Sequence, residues 1–257
     1  MHRRRAGYRG LVQWRGGVTT RTSARNLSML AWTGPVCILL VLVGWMALAG
    51  FLPPPSPALP LDQMAAVWTE HTNLKRLGLV LCVWGGSLYV PFTVAIGIVL
   101  RRSETGERVL STTQTALGTF GTVFFTLNFL ILAVVAYRPD RPSEVTLQLH
   151  DLGFIMTFSP VAPFTFQYIA IGVAILQDHS LDPLFPRWVA YANFWVALLL
   201  VPACAIPFFK TGPMAWNGLL AFWIPVAVFV AWFFVMFWAI RRVIMRETEQ
   251  VPEQVSS

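Results

Sequence analysis

Two short pairs of ionisable residues, Glu70-His71 and His150-Asp151, each stand just ahead of a long apolar block. Imidazole nitrogens and carboxylate oxygens are ligands that zinc and related divalent ions accept, so Glu70, His71, His150 and Asp151 form the chain's candidate metal centre. The same residues, with Lys75 and Arg76 nearby, also suit an ion-paired cap in which Lys75 or Arg76 meets Asp151. The cap needs no ligand and is the preferred reading. A haem would have to take His71 or His150 as its axial ligand, and both lie near the end of a block instead of at mid-depth.

A second set of polar residues lies inside the apolar blocks: Gln114, Asn128, Ser159, Gln167 and Asn193. Amides and hydroxyls in a membrane bundle commonly bond between helices. Pro91, Pro160, Pro163, Pro202 and Pro225 also fall within blocks, and each removes a backbone donor and frees a carbonyl. Ser159-Pro160-Val161-Ala162-Pro163 is the most interrupted stretch. A cavity for a neutral ligand, lined by Gln167, Asn193, Ser159 and Asn128, is one expectation; plain kinks with satisfied amides are the other.

Nothing else in the chain has the spacing of a catalytic device. There is no HExxH, no GxSxG and no Walker-type glycine loop, and no block contains two carboxylates. Gly85-Gly86 and Gly118-x-x-Gly121 read as helix-packing glycines. Cys37, Cys82 and Cys204 sit within blocks without metal spacing and read as small packing residues, with neither a disulfide nor a cofactor expected.

The elements that must position these residues are set by composition. Hydrophobic residues make up 56% of the 257 and charged ones 12%, about half the share in an average soluble domain. The apolar residues come in blocks of about 20, the length that crosses a hydrocarbon core. Backbone hydrogen bonding in lipid then leaves helices as the only structure open to such blocks. The expected fold is all-α: a polytopic bundle of six transmembrane helices at about 30–52, 77–100, 109–136, 152–176, 188–208 and 218–240. These make a domain over 29–243, between a basic, unstructured tail at 1–28 and a second tail at 244–257. The first block, at about 22 residues, is long for the apolar core of a signal peptide, so it reads as a retained helix.

Orientation follows from the basic residues. With the N-terminus inside, 14 of the 19 Lys and Arg lie on the cytoplasmic side and five lie outside. Without the seven arginines of residues 1–28 the split is 7 to 5. Both counts favour placing both ends in the cytoplasm. The formal charge of +7 is this loop bias, so no nucleic-acid partner is expected. Its surroundings are the bilayer, with a membrane-protein partner or a second copy as candidate companions.

Of the outer connections, Pro53 to Arg76 opens with Pro53-Pro54-Pro55-Ser56-Pro57 and then reads as an amphipathic helix over 61–74. Trp32, Trp68, Tyr137, Trp188, Trp216 and Trp238 fall near block ends, where an interfacial aromatic belt is expected.

The even-numbered helices resemble one another. Leu74-Lys75-Arg76-Leu77-Gly78 aligns with Leu149-His150-Asp151-Leu152-Gly153, and Ala95-Ile96-Gly97 with Ala170-Ile171-Gly172, at one offset of 75. A looser offset of 140 pairs Gly78 with Gly218 and Arg101-Arg102 with Arg241-Arg242. Three parallel hairpin repeats would produce this pattern; chance matching of short apolar segments would produce it equally well.

Phe185-Pro186-Arg187-Trp188, Phe209-Lys210-Thr211-Gly212-Pro213 and the run from Trp216 to Trp223, with Pro53-Pro54-Pro55-Ser56-Pro57 and Pro91-Phe92, resemble a family of uncharacterised six-helix bacterial membrane proteins of actinobacterial type. The likeness covers about residues 30–243 and implies a six-helix inner-membrane protein with no activity to carry over. The expected function is a non-enzymatic membrane component or accessory subunit. A permease for a neutral or apolar solute is the alternative, and a membrane-embedded metal or haem protein is the third. The absence of an acid at mid-depth argues against proton coupling.

Overall fold

The computed structural model describes residues 21–104 and 108–250, and every regular element among them is helical. Six helical stretches are long and apolar enough to cross a membrane: Ser23–Leu48, Thr72–Ser103, Val109–Tyr137, Ser143–Leu176, Arg187–Phe208 and Leu219–Thr248. The chain is a multi-pass membrane protein with an all-α, six-helix bundle.

The spans close a ring in which each packs on its neighbours in sequence and the first also packs on the sixth. Arg241 donates to Ser28 across 2.9 Å, Arg246 pairs with Asp182 across 3.2 Å, and Arg102 pairs with Glu247. The start of span 1, the 2–3 and 4–5 connections and the end of span 6 therefore share one end of the bundle, the terminal end. At the opposite end a cap helix, Leu61–Thr69, packs on the start of span 4. Trp216 donates its indole N–H to Pro55 O over 2.7 Å, tying the proline-rich connection to the turn before span 6.

Only span 3 is one uninterrupted α-helix. Span 1 passes at Val43 into a π-helical turn, Val43–Leu48, and Gly50 at φ +71° ends it. Span 2 breaks at Leu88, whose N–H bonds Gly85 O at 3.0 Å, because Pro91 cannot continue the ladder. Span 4 is divided at Ser159-Pro160-Val161 into Ser143–Phe158 and Ala162–Leu176. Span 5 tightens into a 3₁₀ segment, Val201–Phe208, containing Pro202 and Pro207. Span 6 opens with a π-helical turn, Leu219–Trp223, ahead of Pro225.

The glycines behind the suspected repeat mark close approaches. A methyl on Gly44 or on Gly78 would lie 2.4 Å from the carbonyl oxygen of the other, so spans 1 and 2 touch backbone to backbone. Gly153 meets Leu132 of span 3, as Gly78 meets the span before its own. Gly97 lies against Thr115 of span 3 and Gly172 against Phe194 of span 5, each packing on the span that follows. At these four glycines spans 2 and 4 pack on the span before and the span after in the same order. Gly218 lies against Gly212 and Pro213 of its own turn, so span 6 does not share the arrangement.

Several boundaries differ from the sequence expectation. Span 1 begins at Arg21, inside the segment expected to be an unstructured tail, because Leu27 and Ala31 are buried and Ser28 has a partner. The last helix runs to Gln250, past the expected start of the second tail at 244, with Ile244 buried. The tail calls at 1–20 and 251–257 lie outside the described residues. The expected single helix over 61–74 is two, divided at His71, whose left-handed φ of 48° turns the cap helix into span 2.

Candidate functional site

The four metal candidates are not brought together. His71 is exposed at the turn between two helices, whereas His150 is fully buried about two helical turns into span 4. Among the described residues no group of three His, Cys, Asp or Glu could hold a metal ion. The ion-paired cap is not formed either. Lys75 Nζ donates to Glu70 O at 2.8 Å, and Arg76 donates to Ala136 O at 3.0 Å, Tyr137 O at 3.1 Å and Asn73 Oδ1 at 3.0 Å. Both cations are spent on backbone carbonyls at helix ends, where such groups have no helical donor. Asp151 faces Lys210, and one of its oxygens is buried without a hydrogen bond.

Aromatic rings surround His150 instead. Trp68 Nε1 donates to His150 Nδ1 at 3.0 Å, Phe154 stacks on the imidazole at 4.3 Å between centroids, and Trp216 lies at 5.7 Å. An Nδ1 that accepts is unprotonated, so the proton sits on Nε2, which is buried with no partner. Trp68 and Trp216, expected in the interfacial belt, are buried in this cluster, while Trp32, Tyr137, Trp188 and Trp238 are exposed as a belt requires.

Gln114 and Gln167 join a polar network in the halves of spans 2, 3 and 4 nearest the terminal end. Tyr89 donates its hydroxyl to Gln167 Oε1 at 2.8 Å, Gln167 Nε2 donates to Thr93 Oγ1, and Gln114 Nε2 donates to Thr93 O at 3.2 Å and Thr115 Oγ1 at 2.9 Å. Gly118 leaves room for it: a methyl there would lie 2.3 Å from Thr93 Oγ1. Asn193 is held separately, donating to Val189 O at 2.8 Å and accepting from Trp232 Nε1 at 2.8 Å. Asn128 donates to Thr157 Oγ1 at 2.8 Å, and Ser159 lies half-buried in the break of span 4.

The bundle does contain a cavity, but not around these amides. It measures about 130 Å³, is partly open, and is lined by spans 1, 3, 4, 5 and 6 without a contribution from span 2. Gln167, Asn193, Asn128 and Ser159 are all absent from its wall. The physical reason is packing. Gln167 lies about two helical turns beyond Pro160, where the second half of span 2 meets those of spans 4 and 6. There Tyr89 packs edge-on against Phe233 at 5.6 Å, and Tyr168 lies 4.5 Å from Trp232.

The cleft coincides with the interruptions of the helices. Trp45 and Met46 come from the π-turn of span 1, Thr157, Phe158, Pro160 and Val161 from the break of span 4, Ala203 from the 3₁₀ segment of span 5, and Ala221, Phe222 and Pro225 from the π-turn and proline of span 6. Phe125, Phe129, Phe164 and Phe229 complete an aromatic wall. Its upper edge joins the His150 cluster, since Trp45 contacts Phe51 at 4.9 Å and Phe154 at 5.5 Å. Sequence reading found the prolines but not their convergence; the signal present was that Pro160, Pro202 and Pro225 all fall within blocks.

Cys37 and Cys82 are buried as expected, whereas Cys204 is exposed on the 3₁₀ segment.

Compared with protein-family models, with curated proteins and with solved structures, the chain matches none.

Proposed function

We propose that this chain is a non-enzymatic component of a bacterial inner membrane, with both ends in the cytoplasm, that holds an apolar, lipid-soluble molecule in the cleft at the heart of its bundle. The observation that carries this reading is the convergence of four interrupted spans on one cavity. Irregular backbone at membrane depth is tolerated where it is buried in protein or lines a cavity. Here four separate interruptions line the same one, which independent kinks would have no reason to do. The wall is almost wholly apolar, so a charged or strongly polar solute would lose its hydration without compensation.

Holding is favoured over conduction. Below the cleft the polar network and the Tyr89, Phe92 and Phe233 rings fill the bundle toward the terminal end, and above it lie the Pro55–Trp216 tie and the Trp68–His150 pair. The cytoplasmic placement of the terminal end rests on its share of arginines, Arg101, Arg102, Arg187, Arg241, Arg242 and Arg246.

The test is extraction of the native protein from membranes and mass spectrometry of what leaves with it, beside an Ala221→Phe variant whose new ring occupies the cleft. Near-stoichiometric recovery of an apolar molecule from the native chain, lost from the variant, is expected. Equal recovery from both, or recovery from neither, refutes the reading.

A further inference from the structure

The size and chemistry of the cleft define its occupant more narrowly. Its volume of about 130 Å³ is close to that of an apolar cavity of about 150 Å³ that takes up a benzene molecule. One six-membered ring therefore fits inside, and a fused polycycle does not. The cleft is partly open, so a substituent on that ring has a way out. Trp45, Phe125, Phe129, Phe158, Phe222 and Phe229 supply the wall, and aromatic faces and edges pair with a flat ring better than with a saturated chain.

Two kinds of hydrogen-bonding group are left over at the wall. The indole N–H of Trp45 meets no acceptor among the described residues. In span 4, Pro160 has no N–H and Val161 N–H bonds Ser159 O at 2.8 Å, so the carbonyls of Met156 and Thr157 have no backbone donor among the described residues. Thr157 itself lines the cleft. A donor and an acceptor left free beside one small cavity match a hydroxyl, which both accepts and donates.

Resting on the reading of the cleft as a binding site, we infer that its ligand is a lipid whose head is a single flat ring bearing a hydroxyl, a phenol-type head group, with an apolar tail leaving through the open side. The ring fills the aromatic wall, the hydroxyl joins Trp45 to the freed carbonyl of Thr157, and the tail stays in an apolar setting.

The full chain in lipid nanodiscs is titrated calorimetrically with 4-heptylphenol, heptylbenzene and dodecan-1-ol, with empty nanodiscs correcting for partition into lipid. Saturable binding of about one 4-heptylphenol per chain is expected. Heptylbenzene should bind about fivefold to a hundredfold more weakly, the range two hydrogen bonds supply, and dodecan-1-ol should not compete. Trp45→Phe should narrow the gap between 4-heptylphenol and heptylbenzene, because it removes the donor and leaves the Thr157 carbonyl. The comparison of the three probes on the native chain needs no variant, so it stands if Trp45→Phe does not fold. Equal binding of dodecan-1-ol and 4-heptylphenol overturns the ring head, and equal binding of heptylbenzene and 4-heptylphenol overturns the hydroxyl. Either result leaves the cleft reading intact if Ala221→Phe abolishes binding. Absence of saturable binding by all three overturns the inference, and the native-membrane extraction then decides the reading beneath it.

Discussion

Trp68 of the cap helix donates its indole N–H to Nδ1 of His150, 82 residues away in span 4, across 3.0 Å and out of contact with solvent. This bond fixes the imidazole as its Nε2–H tautomer and pins the cap helix to the bundle. Trp68→Phe keeps the ring and removes the donor, stranding a buried acceptor. A loss of about 1–3 kcal/mol of stability is expected, read as a lower thermal midpoint in detergent. Nitrogen chemical shifts of a ¹⁵N-histidine-labelled sample should report a neutral His150 protonated on Nε2. Two interchanging tautomers would show that the bond is not held.

His71 and His150 should respond oppositely to substitution. His71→Gly relieves a left-handed backbone on an exposed residue, so stability should hold or rise by up to about 1 kcal/mol. His150→Ala opens a void among Trp68, Phe154 and Trp216 and should lower stability by about 2–5 kcal/mol. Parallel thermal melts check this. Metal analysis of the purified native chain should find no stoichiometric ion, and a bound zinc lost in both variants would restore the metal centre.

Spans 1 and 2 meet through Gly44 and Gly78. Gly78→Ala would put a methyl 2.4 Å from Gly44 O and 2.8 Å from Ala49 N, with backbone on both sides. Because backbone cannot rotate away, the spans must separate, at a cost of about 1–3 kcal/mol. Gly85→Ala, whose new methyl would lie 2.8 Å from Leu40 Cβ and 3.1 Å from Cys37 O, has the looser contacts and should cost less. A melt that orders these two variants the other way contradicts the close contact.

Gln167 accepts from Tyr89 and donates to Thr93. Gln167→Leu leaves both without that partner, and a loss of about 1–3 kcal/mol is expected. Adding Tyr89→Phe should recover part of that loss by removing a stranded hydroxyl. Strict additivity of the two substitutions would show that they do not interact.

The placement of the ends is checked by cysteine labelling in a Cys204→Ser background, since Cys37 and Cys82 are buried. A membrane-impermeant maleimide added to spheroplasts should react with Asp140→Cys at the cap end and spare Asp182→Cys, at the terminal end beside Arg246, until the membrane is opened. The reverse pattern inverts the orientation.

The chain's covalent order determined a good deal by itself. Six apolar blocks of membrane length, with no other way to satisfy their backbone in lipid, determined six helices. The prolines within those blocks determined that several of the helices would be interrupted. Those properties are local, set within one or two turns of chain.

What each polar residue faces was decided only by the tertiary structure. His71 and His150 both stand just ahead of an apolar block, yet one is exposed and the other enclosed, because the start of span 4 lies under the cap helix. Gln167 and Asn193 look like a cavity lining in sequence and are packed and satisfied in the fold, while the cavity forms about two turns away among phenylalanines that carry no chemical signal. The reason is that a break in one helix can be located from its own residues, whereas a cavity exists only where the breaks of several helices arrive at one depth, and that depends on how far each span slides along its neighbours when the ring closes.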